Sequence, residues 1–556
     1  MAYSSRRFFT SVASVPAQQD ASGGYSRSES PLLISRRDRM NLTDEQVAAI
    51  DIFRRGATAK VNAFAGTGKT TTLEHMARSR SSKGLYLAFN TSIAAEAQAR
   101  FPAHVDARTT HSYALKHLSP LLRDGSDKVG RSLNGNQIAE LLTIRDIAVG
   151  SRLTITARAV GHLVARTINR FCRTGDRTIS ARHVPTYGKL LACDEASRDV
   201  FFDQVVELAL HTWERMQTPD DPTPLDHDGY LKLWSLSQPI IDADFVLLDE
   251  AQDSNEAVLS VLAAQDCQVI YVGDRHQQIY EWRGAVNAMD KAVVNAEADL
   301  TQSFRFGQQV ANVANCILSR LDESKQVIGN PVIDSRINEG YVSAVLCRTN
   351  AGVLGVVLEE LARNRVPYVQ KGVDDLLRLL KDVERLRSGI PGASDEFFGF
   401  ANWREVEYFA QTDDGEGIKP IVSLVRKFGE SVLLKKLGRV AKHASGAEFT
   451  VSTAHKAKGL EWPGVEIYGD FVSKDERGQA QLRPGSEESR LLYVAATRAK
   501  EALHMPLELL EALGIADTIS APVGERKFYP QTAAMQPAER SAPPQGPTSI
   551  ELNRPF

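Results

Sequence analysis

Residues Ala63 to Thr70 read AFAGTGKT. They end a short, β-leaning apolar run, Lys60 to Phe64, and precede a segment, Thr71 to Arg80, that reads as helix. A strand, a glycine-rich turn and a helix in that order make a phosphate-binding loop. Gly66 and Gly68 let the backbone curl so that successive N–H groups point at a β-phosphate, and the helix adds its positive end. Lys69 is placed to reach the β- and γ-phosphates, and the Thr70 hydroxyl to ligate Mg2+. The stretch Ala63, Phe64, Ala65, Gly66, Thr67, Gly68, Lys69, Thr70 is therefore read as a nucleoside triphosphate site. Ala63 stands where the usual pattern opens with Gly, so a chance Gly/Thr turn is the bland alternative until a second motif is found.

That motif lies far downstream. The strand-like FVLL (Phe245 to Leu248) runs into DEAQD, Asp249 to Asp253. An aspartate at a strand end beside a phosphate loop can hold the Mg2+ shell, and the adjacent glutamate can polarise the water that attacks the γ-phosphate. Alone, DEAQD could be an acidic first turn of a helix; paired with AFAGTGKT it reads as an NTPase, with Asp249 and Glu250 in those roles. A further strand, Gln268 to Val272, leads into GDRHQQIYEWRGA, Gly273 to Ala285, where open α/β sheets place ligand sites. Gln277 follows that strand, and Arg305 and Arg498 each lie in a polar turn of the downstream lobe; they are candidates to sense the γ-phosphate from a second lobe, although a single arginine is more often a surface ion pair.

Length and composition bound the rest. A chain of 556 residues exceeds one core, and 43% hydrophobic with 24% charged residues is ordinary for a soluble globular protein. The net charge of −3 confines any nucleic-acid surface to a local groove. Five scattered cysteines without a C-x-x-C pair argue against a zinc cluster or disulfide framework. No apolar run approaches the roughly 18 residues of a membrane span. The Ser- and Arg-rich first forty residues leave three readings: a disordered tail, which we favour, a transit peptide, or a start at Met40; the Arg6-Arg7 pair lacks the apolar core an export signal needs.

Ordered sequence is expected from Asn41, with Thr43 as N-cap and Gln46 three residues on. The Gln46 amide could read adenine or simply complete a capping box. Leu118 to Asp199 reads as an Arg-rich helical insertion, and Ser388 to Ala447 as a shorter, irregular one. The fold expected is α/β, two lobes with helical insertions, divided as a tail 1–40, lobe 1 at 41–120 and 200–299, an insertion 121–199, lobe 2 at 300–387 and 448–520, an insertion 388–447, and a Pro-rich disordered tail 521–556.

The ordered set Gln46, AFAGTGKT, LAFNTSIAAEA, TTHSYA, LLDEAQD, VGDRHQQIYEWRGA, LTQSFRFG, STAHKAKGLEW and LLYVAATRA resembles the UvrD/Rep-type superfamily 1 DNA helicases. NAFAGTGKT, HDGYLKLW (His227 to Trp234), GDRHQQIY and TQSFRFG resemble the F-box DNA helicase branch of that family, here without a recognisable F-box. The resemblance covers about Asn41 to Leu510. It implies two RecA-like P-loop lobes, ATP and Mg2+ as cofactors, and 3′ to 5′ movement on single-stranded DNA that unwinds tailed duplex or strips bound protein. By the same resemblance Gln46 contacts adenine and Phe304 stacks on it; Lys69, Thr70, Asp249, Glu250, Gln277, Arg305 and Arg498 serve ATP and Mg2+; Glu461 serves the ribose or phosphate edge. Phe89, His111, Tyr280, Trp282 and Arg283 meet the DNA strand, and Lys458 sits in the motif linking the two sites. Stacking on aromatics tolerates any base, as a tracking motor needs; core packing is the plain alternative for Tyr280 and Trp282. Partners implied are DNA, with recombinase filaments or repair proteins as open candidates, in a bacterial nucleoid or a eukaryotic nucleus or mitochondrion. Two rival readings stand: a motor displacing recombinase filaments or serving a defence nuclease with little unwinding, and a DNA-binding scaffold with a spent ATP site.

Overall fold

A computed structural model describes residues 42–118, 128–151, 153–186, 190, 193–280, 287–390, 397, 400, 402–411, 418–474, 479–483, 485–518 and 526–528. Its first sheet is built from the apolar runs. Strands β1 (Ala59–Ala63), β2 (Gly84–Ala88), β3 (Val105–Thr109), β6 (Phe245–Leu248), β7 (Gln268–Gly273) and β8 (Ala296–Leu300) are ordered β3-β2-β6-β7-β1-β8 and run parallel throughout. FVLL in β6 and QVIYVG in β7 are buried at every position, as strands covered on both faces require.

Alternation along the strands divides the core. Tyr86, Phe245, Leu247 and Ile270 face the helices Asp44–Arg54 and Lys69–Arg78 through Ile50, Phe53, Leu73 and Met76. Leu85, Leu87, Val246 and Leu248 face the other way, into a cluster with Phe171, Phe201 and Trp234. Those last three belong to the helices Ala157–Arg173, Glu195–Gln217 and His227–Leu236. The helix Glu195–Gln217 runs straight through the expected boundary at 199/200, so that boundary is corrected: the insertion shares an apolar core with lobe 1 instead of standing apart. It also holds a small antiparallel hairpin, β4 (Ile147–Val149) with β5 (Leu153–Ile155).

Lobe 2 repeats the layout. Strands β9 (Arg336–Ile337), β10 (Ala344–Cys347), β11 (Pro367–Val369), β12 (Phe449–Thr453), β13 (Trp462–Ile467) and β16 (Ala499–His504) are ordered β11-β12-β10-β13-β16-β9, again all parallel. One face packs on the helices Gln308–Ser319, Ser486–Ala496 and Leu507–Leu513, and the other on Asn350–Ala362 and Asp374–Arg387. The 402–437 helices join that second core through Trp403, Val406, Val422 and Leu433. A ribbon of β14 (Val472–Lys474) and β15 (Ala480–Leu482) completes the lobe. No helix among the described residues is long and apolar enough to cross a membrane.

The expected disordered tail from 521 needs a correction at three residues. Arg526 reaches Glu466 and Glu360, Val342 N–H donates to Lys527 C=O at 2.7 Å, and the Phe528 ring stacks on Phe449 at 4.2 Å. Proline content hides this clip, because its hold comes from one cation over buried carboxylates and one aromatic face. The tail 1–40 lies outside the described residues.

Candidate ATP crevice and nucleic-acid track

β1 delivers the phosphate loop to the edge of lobe 1 that faces lobe 2, where Phe64 N–H donates to Leu300 C=O at 3.1 Å. Gly66 (φ +77°) and Gly68 (φ +78°) hold left-handed backbone, and a Cβ on Gly66 would stand 2.6 Å from Ser303 Oγ and 2.7 Å from Arg305 Cβ. Glycine thus permits both the curl and the approach of lobe 2. The helix Lys69–Arg78 starts from Gly68 with no side-chain cap, so its first amides remain for an anion.

A cavity of about 510 Å³ opens here, lined by Gly68, Lys69, Thr70, Glu250, Phe304, Arg305 and Glu461. Phe304 is 45% exposed and lies across the loop from Gly68. Gln46 does complete the capping box: Thr43 N–H donates to its Oε1 at 3.1 Å, while its Nε2 donates to Thr72 Oγ1 at 3.1 Å. It is held beside the loop by those bonds.

Lys69 Nζ stands 3.5 Å from Glu250 Oε1, and Gln252 Nε2 donates to Glu250 Oε2 at 2.5 Å. Glu250 itself sits at φ +51°, a left-handed conformation uncommon for a non-glycine residue and typical of functional turns. Asp249 is buried and accepts from Tyr86 Oη at 2.6 Å. Burial and the neighbouring Glu250 carboxylate raise the Asp249 pKa; burial would raise Glu250 too, but Lys69 and Lys458 outweigh it and hold Glu250 low. Glu250 is thus held as a carboxylate beside Lys69, while Asp249 is a buried carboxylate with no cation of its own in contact among the described residues. Thr70 hydroxyl and Asp249 carboxylate fit Mg2+, which takes few protein oxygens and fills the rest with water and phosphate.

Lobe 2 brings its polar groups to the same crevice. Arg305 Nε donates to Glu461 Oε2 at 2.8 Å, and Lys500 Nζ lies 2.5 Å from Glu461 Oε1. Arg498 is buried, and its Nη2 donates to Gln277 Oε1 at 3.2 Å across the lobe boundary. Burial and the nearby Arg305 lower the Arg498 pKa to about 9, against the pull of Glu250. Lys458 Nζ donates to Asp253 Oδ2 at 2.5 Å and to Gln277 C=O at 2.6 Å.

The same ammonium lies 5.2 Å from the Tyr280 ring centroid, which leads to the other side of the crevice. Tyr280 stacks on Phe89 (5.8 Å, 11°) and donates its hydroxyl to His455 C=O at 3.3 Å. Beside it a cavity of about 540 Å³ is lined by Arg348, Asn350, Lys371, His455 and Lys456. His111 lies in the first turn of the helix Thr110–Leu118 after β3, next to the end of β2, which Phe89 follows. Trp282 and Arg283 lie outside the described residues. Tyr280 packs partly against the lobe 2 core, so the core reading and the exposed-face reading each describe one side of its ring.

Five contacts escaped the sequence reading. Tyr493 Oη accepts from Ala65 N–H at 3.1 Å and donates to Asp274 Oδ2 at 3.1 Å; Gln277 Nε2 donates to Asp274 at 2.7 Å; Tyr86 holds Asp249; and Asp253 holds Lys458. Tyr493 and Asp274 sit inside LLYVAATRA and VGDRHQQIY, and a lone hydroxyl within an apolar helical run was the available signal.

Two family models match the chain: an AAA domain over residues 46–283 and the UvrD-like helicase C-terminal domain over residues 405–508. The chain is similar to F-box DNA helicase 1 of Gallus gallus, 32% identical over 87% of this chain and 50% of that protein. It is also similar to F-box DNA helicase protein 1 of Schizosaccharomyces pombe, 29% identical over 83% of this chain and 57% of the relative. A probable DNA helicase of Mycoplasma pneumoniae is 28% identical over 47% of this chain and 43% of its own. The chain thus spans about half the length of the curated relatives it matches.

Proposed function

The chain belongs to the UvrD-like superfamily 1 helicases, and on that premise we propose that it is an ATP-dependent motor that moves 3′ to 5′ on single-stranded DNA and unwinds tailed duplex. One observation carries the reading: Lys69 and Glu250 of lobe 1 and Arg305, Glu461 and buried Arg498 of lobe 2 meet in and beside one crevice.

Lys69 and the uncapped amides of its helix bind the β- and γ-phosphates. Mg2+, when held by Thr70 and Asp249, supplies charge neutralisation on the transferring phosphoryl. Glu250 takes the proton of the attacking water at a carboxylate kept ionised by Lys69. Arg498 and Arg305 donate to the γ-phosphate from lobe 2, so hydrolysis removes what holds the lobes closed. Lys458 passes that change to the track, because one ammonium binds the Asp253 turn, the Gln277 carbonyl and the Tyr280 ring face.

The test is ATPase measured with no nucleic acid, with single-stranded DNA and with RNA, beside strand separation of duplexes carrying a 3′ or a 5′ tail. DNA-stimulated turnover with unwinding from the 3′ tail alone is expected. Stripping of a coated strand without unwinding would favour the protein-displacing motor, and ATPase surviving Lys69→Ala would overturn the assignment of the crevice.

A further inference from the structure

The stretch HDGYLKLW takes no part in the ATP crevice, yet its helix, His227–Leu236, is anchored deep in lobe 1. Tyr230, Leu231, Lys232 and Trp234 are buried, and Asp226 caps the helix by accepting from Gly229 N–H at 2.7 Å. His227, in the first turn, is the one exposed residue of this helix.

That exposed imidazole meets His111. The two rings stand edge to face at 6.2 Å, and His227 Nδ1 hydrogen-bonds with Tyr230 Oη at 2.9 Å, which fixes the ring. Gly130 (φ +79°) passes beside the ring, where a Cβ would come into ordinary contact, 3.4 Å from His227 Cε1. Behind both rings Asp228 takes Arg173 Nε at 2.8 Å through one oxygen and faces His111 Nε2 at 3.9 Å with the other. Burial works to raise Asp228, but the His111 contact and the Arg173 guanidinium outweigh it and keep the carboxylate charged.

We propose that His111 and His227 form a two-imidazole grip on the phosphodiester backbone of single-stranded DNA at the outer edge of lobe 1, with Asp228 as a positioning residue for His111. The inference rests on the DNA-motor reading and deepens it. His111 lies in the first turn of the helix that follows edge strand β3, and Phe89 follows the end of the neighbouring β2, so the grip continues the aromatic track outward, past the Phe89–Tyr280 pair. The carboxylates facing these rings, Asp226 and Asp228, are committed to a helix cap and to Arg173; the remaining facing groups are Tyr230 Oη and Arg173 itself. A protonated imidazole attracts phosphate more strongly than a neutral one, and a charge-bearing phosphate contact releases counterions.

The experiment is fluorescence anisotropy of the full chain with a labelled oligothymidylate at about pH 6 and about pH 8, each over a salt series. Wild type should bind more tightly at the lower pH. His227→Ala should weaken binding there by about fourfold at physiological salt, cut the salt slope by about 0.7, and flatten the pH response. Asp228→Asn should move the midpoint of the pH response downward, whereas a purely structural role would lower affinity equally at every pH. Thermal unfolding shows whether each variant is folded, and His227, being exposed, keeps the test valid if Asp228→Asn is not. His227→Ala with wild-type affinity, salt slope and pH response would overturn the grip while leaving the motor standing. A wild-type chain with no affinity for single-stranded DNA would bring down the motor reading and the grip together.

Discussion

The Tyr493 hydroxyl, carried by lobe 2, accepts the Ala65 N–H of the phosphate loop on lobe 1 at 3.1 Å. The same oxygen donates to Asp274, which also receives Gln277, the partner of Arg498. The phosphate loop, Gln277 and the lobe 2 arginine are thereby joined through two buried groups. Tyr493→Phe leaves the Ala65 amide and one Asp274 bond unmade in a buried place, at a cost of about 1–3 kcal/mol. DNA-stimulated kcat should fall about tenfold, which corresponds to about 1.4 kcal/mol, with the smaller change in KM for ATP. Steady-state ATPase over an ATP series checks the split.

Glu250→Gln keeps the shape of the turn and removes the proposed base. Nucleotide affinity should persist, since Lys69 and the helix amides remain, while turnover should fall by about 2–4 orders of magnitude. Binding of a fluorescent ATP analogue beside single-turnover hydrolysis separates the two quantities, and near-normal turnover would mean another group positions the water.

Glu323 of lobe 2 accepts from Arg275 at 2.5 Å and lies 2.9 Å from His276 Nε2, both in the lobe 1 loop that carries Gln277. Burial would raise its carboxyl, but His276, the Lys325 amide and Arg275 hold it down to about 2. A depressed carboxylate stabilises the folded state above its unfolded pKa near 4.3, and that contribution is lost as pH falls toward 2. The stability difference between wild type and Glu323→Gln should therefore be full above about pH 4.5 and shrink steadily toward pH 2. Urea unfolding at a series of pH values measures it.

Arg526 stands 2.8 Å from Glu466 and 2.7 Å from Glu360, and both carboxylates are buried. Glu360 keeps Arg363 and Arg365 when Arg526 is lost, whereas Glu466 is left with a buried charge. Arg526→Met should cost about 3–5 kcal/mol, the usual penalty for removing one partner of a buried pair. A chain ending before Arg526 should unfold at a similarly lowered urea concentration.

Much of the framework was legible because it depends on short-range patterns. AFAGTGKT needs glycine at two positive-φ positions, and the structure places Gly66 and Gly68 there. FVLL and the Gln268 run became central strands because an apolar stretch bounded by turns has nowhere else to go. The helix after the loop starts at Lys69 instead of Thr71, since the uncapped first turn carries no side-chain start signal. The 199/200 boundary and the 521 tail were misread because composition registers polarity along the chain and not what a helix or a single arginine packs against.

The amino-acid order by itself determined the phosphate loop, the acidic turn at Asp249 and Glu250, and the α/β layout. Each is encoded by residues within a few positions of one another, where backbone sterics and hydrophobic period act. Only the tertiary structure decided which groups bridge the lobes: Tyr493 with Ala65, Lys458 with Asp253, Arg498 with Gln277 and Glu323 with His276. Except for Glu323 and His276, which are 47 residues apart, these partners are separated by some 200 residues or more, and each is a single polar atom whose meaning depends on what burial sets against it.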